Sequence, residues 1–125
     1  MREQADETVL VIGAGTIGCL AVNVCKAYKA SKIMCIDVID WKLEIAKKMG
    51  ADVVVNATKF KSFEERMEFM MKETNGSGVG IIIECSGHAG TISNMFKYLR
   101  KGGTAVMVGL PKQDLVFTDP MPVKY

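Results

Sequence analysis

Three glycines at fixed spacing, Gly13-x-Gly15-x-x-Gly18, follow directly on the aliphatic run Val9 to Ile12. Such a turn suits a phosphate when a strand enters it and a helix leaves it. The first glycine allows the tight reversal, the second lets a diphosphate approach the backbone with no Cβ in the way, and the third lets the helix close on the strand. Free amides of the helix's first turn then face the anion, with the positive end of the helix dipole behind them. Asp37 lies 19 residues beyond Gly18. An acid at that distance, on the end of a second strand, accepts the hydroxyls of an adenosine ribose and repels a 2′-phosphate, which favours NAD over NADP. The glycine pattern alone also occurs in methyltransferases and chance loops, and a strand-end acid can simply be solvated or cap a helix.

The surrounding elements supply the context such a motif needs. An apolar run cut off by glycine suits a strand buried on both faces of a parallel sheet. Ile17, Leu20, Ala21, Val24 and Tyr28 recur behind it at helical spacing, opposite Asn23, Lys26 and Lys29. Residues 32–37 read as a second strand. A helix follows with Asp40 as N-cap, Ile45, Ala46 and Met49 as its buried stripe and Gly50 as its stop. Lys42, one turn into this helix, could reach an adenosine ribose, although its surroundings alone favour a solvated cation.

Residues 52–56 form a third strand. The capping box at Ser62 to Glu65 opens a helix filled inward by Phe63, Met67, Met70 and Met71. Residues 79–83 make a fourth strand. A fourth helix turns Ile92, Met95, Phe96 and Leu99 inward and closes at Arg100 to Gly103, before a fifth strand at 104–108. The tail, 111–125, holds three prolines and no clear period. Alternating strands and helices predict an α/β fold, a doubly wound parallel Rossmann sheet in the order 3-2-1-4-5 with helices on both faces. Residues 1–125 are expected to be a single domain with its core at 8–110. Ligands bind such sheets at the carboxyl ends of the strands, where strands 1 and 4 part. Gly13 to Gly18, Asp37, Cys85-Ser86-Gly87 and Val108-Gly109-Leu110 all converge on that rim.

Composition narrows the function classes. The net charge is +2, the basic residues are scattered, and aromatics make up 7%, so no stacking platform accompanies a basic stripe and nucleic acid is not an expected partner. The N-terminus lacks the apolar core of a signal peptide, and no apolar run is long enough to cross a bilayer. Cys19, Cys25, Cys35 and Cys85 are irregularly spaced with no C-x-x-C, which argues for reduced, structural thiols rather than zinc pairs. A cytoplasmic, membrane-free protein is expected. His88, the one histidine, reads as a surface residue at a helix start; Glu84 as a strand-end acid that bonds nearby backbone; Cys85 as a thiol with no basic partner to activate it.

Four blocks carry a family resemblance: Val9-Leu-Val-Ile-Gly-Ala-Gly-Thr-Ile-Gly18, Asp37 with Lys42 to Asp52, Ile83-Glu-Cys-Ser-Gly87, and Gly102-Gly-Thr-Ala-Val-Met-Val-Gly109. From about Thr8 to Leu110 the chain closely resembles the nucleotide-binding domain of the zinc-type medium-chain alcohol dehydrogenases, nearest the sorbitol, polyol and threonine dehydrogenase branch. The resemblance implies that Gly13, Gly15, Thr16, Ile17 and Gly18 cradle the pyrophosphate of NAD, and that Asp37, assisted by Lys42, holds the adenosine ribose. It places Cys85, Ser86 and Gly87 beside the cofactor midsection and Val108, Gly109 and Leu110 along the nicotinamide. Many relatives have proline where Thr16 stands and threonine where Ser86 stands.

The resemblance also implies a catalytic zinc and an alcohol substrate held by a separate GroES-like domain, to which nothing here corresponds. The intact parent would be a homo-oligomer, and the sixth strand through which relatives often pair their sheets is not expected within these residues. The chain is therefore expected to be an excised or truncated cofactor domain, inactive by itself, with no catalytic or metal residue of its own. A freestanding NAD(H)-sensing regulatory domain is the rival reading, and a methyltransferase the third.

Overall fold

A computed structural model describes residues 7–110, in which five strands and four helices alternate. In chain order these are β1 (Thr8–Ile12), α1 (Thr16–Ala27), β2 (Lys32–Asp37), α2 (Asp40–Met49), β3 (Val53–Asn56), α3 (Phe63–Glu73), β4 (Val79–Glu84), α4 (Ala89–Met95) and β5 (Leu99–Met107). Single 3-10 turns follow β3 and α4. The strands form one parallel sheet in the expected order, β3-β2-β1-β4-β5.

Side chains alternate across the sheet and split the core in two. Leu10, Ile12, Met34, Ile36 and Ile82 meet Met70 of α3 and Ile92 and Met95 of α4 on one face. Val9, Val11, Ile33 and Cys35 meet Cys19 and Val22 of α1 and Leu43 and Ala46 of α2 on the other. Both faces are covered over the central strands, which is why β1 carries an unbroken aliphatic run.

The apolar stripe read on α1 is not its buried face. Ile17, Leu20, Val24 and Tyr28 are 54%, 51%, 53% and 70% exposed, while Gly18, Cys19 and Val22 pack inward. The cause is Gly18: a Cβ there would overlap the Gly13 carbonyl oxygen. Gly18 must therefore face the turn, and that sets the rotation of the whole helix. In α2 likewise Leu43 and Ala46 are buried, Met49 is half-buried, and Ile45 is exposed. Asp40 is the first residue of α2 rather than its N-cap, which is Ile39; its carboxylate accepts instead from Asn56 Nδ2 at 2.8 Å.

The fourth helix is shorter than its periodicity suggests. It ends at Met95, and Arg100 to Gly103 belong to β5. Arg100 does not cap a helix; its Nη2 donates at 3.0 Å to Oε1 of Glu7, a carboxylate only 4% exposed. That carboxylate also accounts for the glycine inside β4, since a Cβ at Gly80 would overlap it. The expectations for residues 111–125, and for a sixth strand beyond them, lie outside the described residues.

Candidate functional site

The loops leaving β1, β2, β4 and β5 meet at one end of the sheet and brace one another. Gly13 donates its N–H to the Ile36 carbonyl at 2.8 Å, and its φ of +102° suits glycine alone. A Cβ on it would stand 3.0 Å from Ser86 N. Gly13 and Gly18 are thus demanded by the fold itself.

Gly15 is different. Its φ is −76°, open to any residue, and beyond its chain neighbours no atom of the described residues lies within 4 Å of where its Cβ would be. Nothing among the described residues requires glycine there. Gly15 is also the N-cap of α1, with no side-chain cap and no acid in the first turn. The first-turn amides of Thr16, Ile17 and Gly18 accordingly have no intrahelical acceptor, and an anion complements them. Thr16 and Ile17 are exposed beside this open space.

Asp37 is held more firmly than its sequence position reveals. Its Oδ2 accepts from Ala14 N–H at 2.6 Å, and its Oδ1 from Val38 N–H at 2.6 Å and Ile39 N–H at 3.2 Å. The acid ties the end of β2 to the glycine turn. A carboxylate has about four acceptor sites, so these three bonds leave capacity for a hydroxyl donor. Lys42 is half-buried with its Nζ 5.7 Å from the Trp41 ring centroid, and no ion pair joins it to Asp37.

Beneath the β4 and β5 turns lies Glu84, fully buried. Its Oε1 accepts from Ser86 N–H at 3.0 Å and Gly87 N–H at 2.8 Å, and its Oε2 accepts from the Ser86 hydroxyl. Its carbonyl accepts from Val108 N–H at 2.8 Å and Gly109 N–H at 2.9 Å. One residue therefore shapes both turns, which is the backbone-bonding role read from its position. A Cβ on Gly109 would overlap Gly87 N, so these turns pack backbone on backbone, leaving Val108 and Leu110 exposed along the rim. Cys85 is half-buried, and burial first, then the Glu84 charge, pushes its thiol up to about 11. It stays protonated at neutral pH, the form in which a thiol is a weak nucleophile.

Beside Asp37 a cavity of about 580 Å³ opens between the rim and the α3–α4 layer. Gly13, Asp37 and Ser86 line its rim side; Phe63, Arg66 and Tyr98 line its helix side. His88, the N-cap of α4, is exposed and accepts from Thr91 N–H at 3.2 Å through Nδ1. It also lines this cavity. Sequence reasoning read Phe63 only as core and did not single out Arg66 or Tyr98. The available signal was a cation placed between Phe63 and Met67 on the inward stripe of α3. Among the described residues no group of three or more His, Cys, Asp or Glu could hold a metal ion, and no helix is long and apolar enough to cross a membrane.

A family model described as zinc-binding dehydrogenase matches residues 16–124. The L-threonine 3-dehydrogenase of Bacillus velezensis is 38% identical over 109 residues, 87% of this chain and 30% of its own length. Sorbitol dehydrogenase of Bacillus subtilis is 33% identical over 111 residues, 89% of this chain and 30% of its own. The crystal structure of an alcohol dehydrogenase from Thermotoga maritima superposes with a TM-score of 0.88 at 29% identity, covering 97% of this chain and 33% of that one. The chain thus spans about a third of the length of the relatives it matches.

Proposed function

The chain belongs to the zinc-binding dehydrogenase family, and on that premise we propose that it is the NAD(H)-binding part of an alcohol or polyol dehydrogenase. The observation that carries the reading is Gly15, a glycine that no contact among the described residues requires, standing in open space at an uncapped helix start. The cofactor family implied by the relatives fits this rim. The diphosphate rests against the Gly13–Gly18 turn and takes the first-turn amides of Thr16, Ile17 and Gly18. Asp37 accepts from the adenosine ribose, and its charge disfavours a 2′-phosphate. Lys42, close by on α2, adds a cation at that end. The adenine enters the cavity beside Asp37, and the nicotinamide half runs past Cys85, Ser86 and Gly87 to Val108, Gly109 and Leu110.

When bound, NAD(H) supplies or accepts the hydride at its nicotinamide ring. This chain's residues bind and orient the cofactor; catalysis of the alcohol's proton and hydride loss needs groups that residues 7–110 do not present. The zinc of the family's description finds no ligand set there either, so in this reading metal and substrate are held by other parts of the intact enzyme. The 125-residue chain is then expected to bind NADH and to oxidise no alcohol. Titration of the chain with NADH, followed by nicotinamide fluorescence, tests this. Saturable binding preferred over NADPH supports the reading, and no binding at millimolar cofactor overturns it.

A further inference from the structure

The helix-side wall of the cavity contains a cation that the fold uses only in part. Arg66 lies in the first turn of α3, its backbone N–H bonded at 3.2 Å to the carbonyl of the N-cap Ser62. Its Nε donates to the Tyr98 hydroxyl at 2.8 Å, its Nη1 donates to the Ala57 carbonyl at 3.4 Å, and its guanidinium carbon stands 5.4 Å from the Phe63 ring centroid. Ala57, Phe63 and Tyr98 line the same cavity as Arg66. The guanidinium is therefore pinned from three elements at once: the loop after β3, the start of α3 and the turn after α4.

A guanidinium has five N–H donors, and these bonds use two of them. The other three have no protein partner among the described residues, and Arg66 is only half-buried. A fixed planar cation with spare donors, on an apolar wall, is suited to a flat aromatic ring that carries acceptor nitrogens. Across the cavity stands Asp37, which in the function proposed above holds the ribose. In that reading the base attached to the ribose occupies the cavity that Asp37 and Arg66 both line.

We propose that Arg66 is a base-recognition residue, reading the acceptor nitrogens or the π-face of the adenine that Asp37 brings into the cavity. This rests on the NAD(H) reading and adds to it a residue whose removal weakens one half of the cofactor selectively. Tyr98 serves as its anchor: the residue is 4% exposed, and its hydroxyl accepts from Nε and holds it in place.

The test is binding of two fragments, AMP and reduced nicotinamide mononucleotide, to the 125-residue chain and to Arg66→Leu, Arg66→Lys and Tyr98→Phe. Loss of a charge-assisted bond in a half-buried site weakens binding about tenfold. Arg66→Leu is expected to lower AMP affinity by about that factor and leave the nicotinamide fragment within about twofold. Arg66→Lys should recover part of the loss, and Tyr98→Phe, which keeps the cation but frees it, should show an intermediate AMP defect. Equal AMP binding by Arg66→Leu and the unaltered chain overturns the proposal; so does a parallel loss of both fragments, which marks Arg66 as a fold residue only. Failure of the unaltered chain to bind either fragment instead overturns the NAD(H) reading itself.

Discussion

Replacing Gly15 by alanine separates what the fold needs from what a ligand needs. Beyond its chain neighbours the new methyl would meet no atom of the described residues within 4 Å, and the φ of −76° is ordinary for alanine. A Gly→Ala change at a compatible position gains about 0.4–1 kcal/mol through the unfolded chain. The poorer N-cap preference of alanine costs a few tenths to about 1 kcal/mol. The two nearly cancel, so Gly15→Ala should unfold within about 0.5 kcal/mol of the unaltered chain. Its NADH affinity should fall about ten- to hundredfold, because the methyl displaces a phosphate from one charge-assisted amide bond worth about 1.5–3 kcal/mol. Gly18→Ala is the counterpart. Its Cβ would overlap the Gly13 carbonyl oxygen, and backbone cannot step aside, so stability should drop by about 3 kcal/mol or more. Urea unfolding and NADH fluorescence titration on both variants decide the matter. If Gly15→Ala binds NADH as the unaltered chain does, no diphosphate lies against that turn; if it unfolds as readily as Gly18→Ala, the glycine is structural.

Asp37→Ala should cost about 1–3 kcal/mol in NAD affinity and also destabilise the chain, since the amides of Ala14, Val38 and Ile39 lose their acceptor. The double change Asp37→Gly with Val38→Arg should move preference toward NADP in competition titrations; an unchanged ratio would contradict the ribose role. Burial and, less strongly, the charges of Cys19, Asp37 and Cys85 push the Cys35 thiol up to about 12. The folded thiol stays protonated where the unfolded one has begun to ionise, so the stability it contributes is complete below about pH 9 and is lost as pH rises toward about 12. Unfolding free energies at pH 8 and pH 10.5 should therefore diverge more for the unaltered chain than for Cys35→Val, and identical losses would refute that assignment.

The sheet order was legible because β1 and β2 are buried on both faces, β4 is buried on one and half-buried on the other, and all three read as aliphatic runs ended by glycine or an acid. The rim was legible too, since the four strand ends carry small or acidic residues at conspicuous spacing. The settings of the helices were not. In α1 the pattern Ile17, Leu20, Val24, Tyr28 is as periodic as a buried stripe, but a single backbone overlap at Gly18 turns it outward, and no periodicity reports such a contact. Arg100 to Gly103 looked like a helix end because cations suit one; the buried Glu7 carboxylate, 93 residues away in the chain, draws Arg100 into β5 instead. Asp37 was recognisable as an acid at the right distance, yet its bond to Ala14 joins two loops and is a tertiary fact. The helix-side wall of the cavity needed the fold outright, because Phe63, Arg66 and Tyr98 come from separate elements that only packing unites.

The most direct measurement is to follow the backbone amide resonances of the isotopically labelled 125-residue chain while NADH is added. A cofactor lying across the strand ends predicts saturable shifts at Gly13 to Gly18, Val38, Ser86 and Gly87, with Thr8, Lys32 and Val79 at the opposite edge unmoved. Saturable shifts that bypass Thr16, Ile17 and Gly18, or none at all at millimolar NADH, would contradict it.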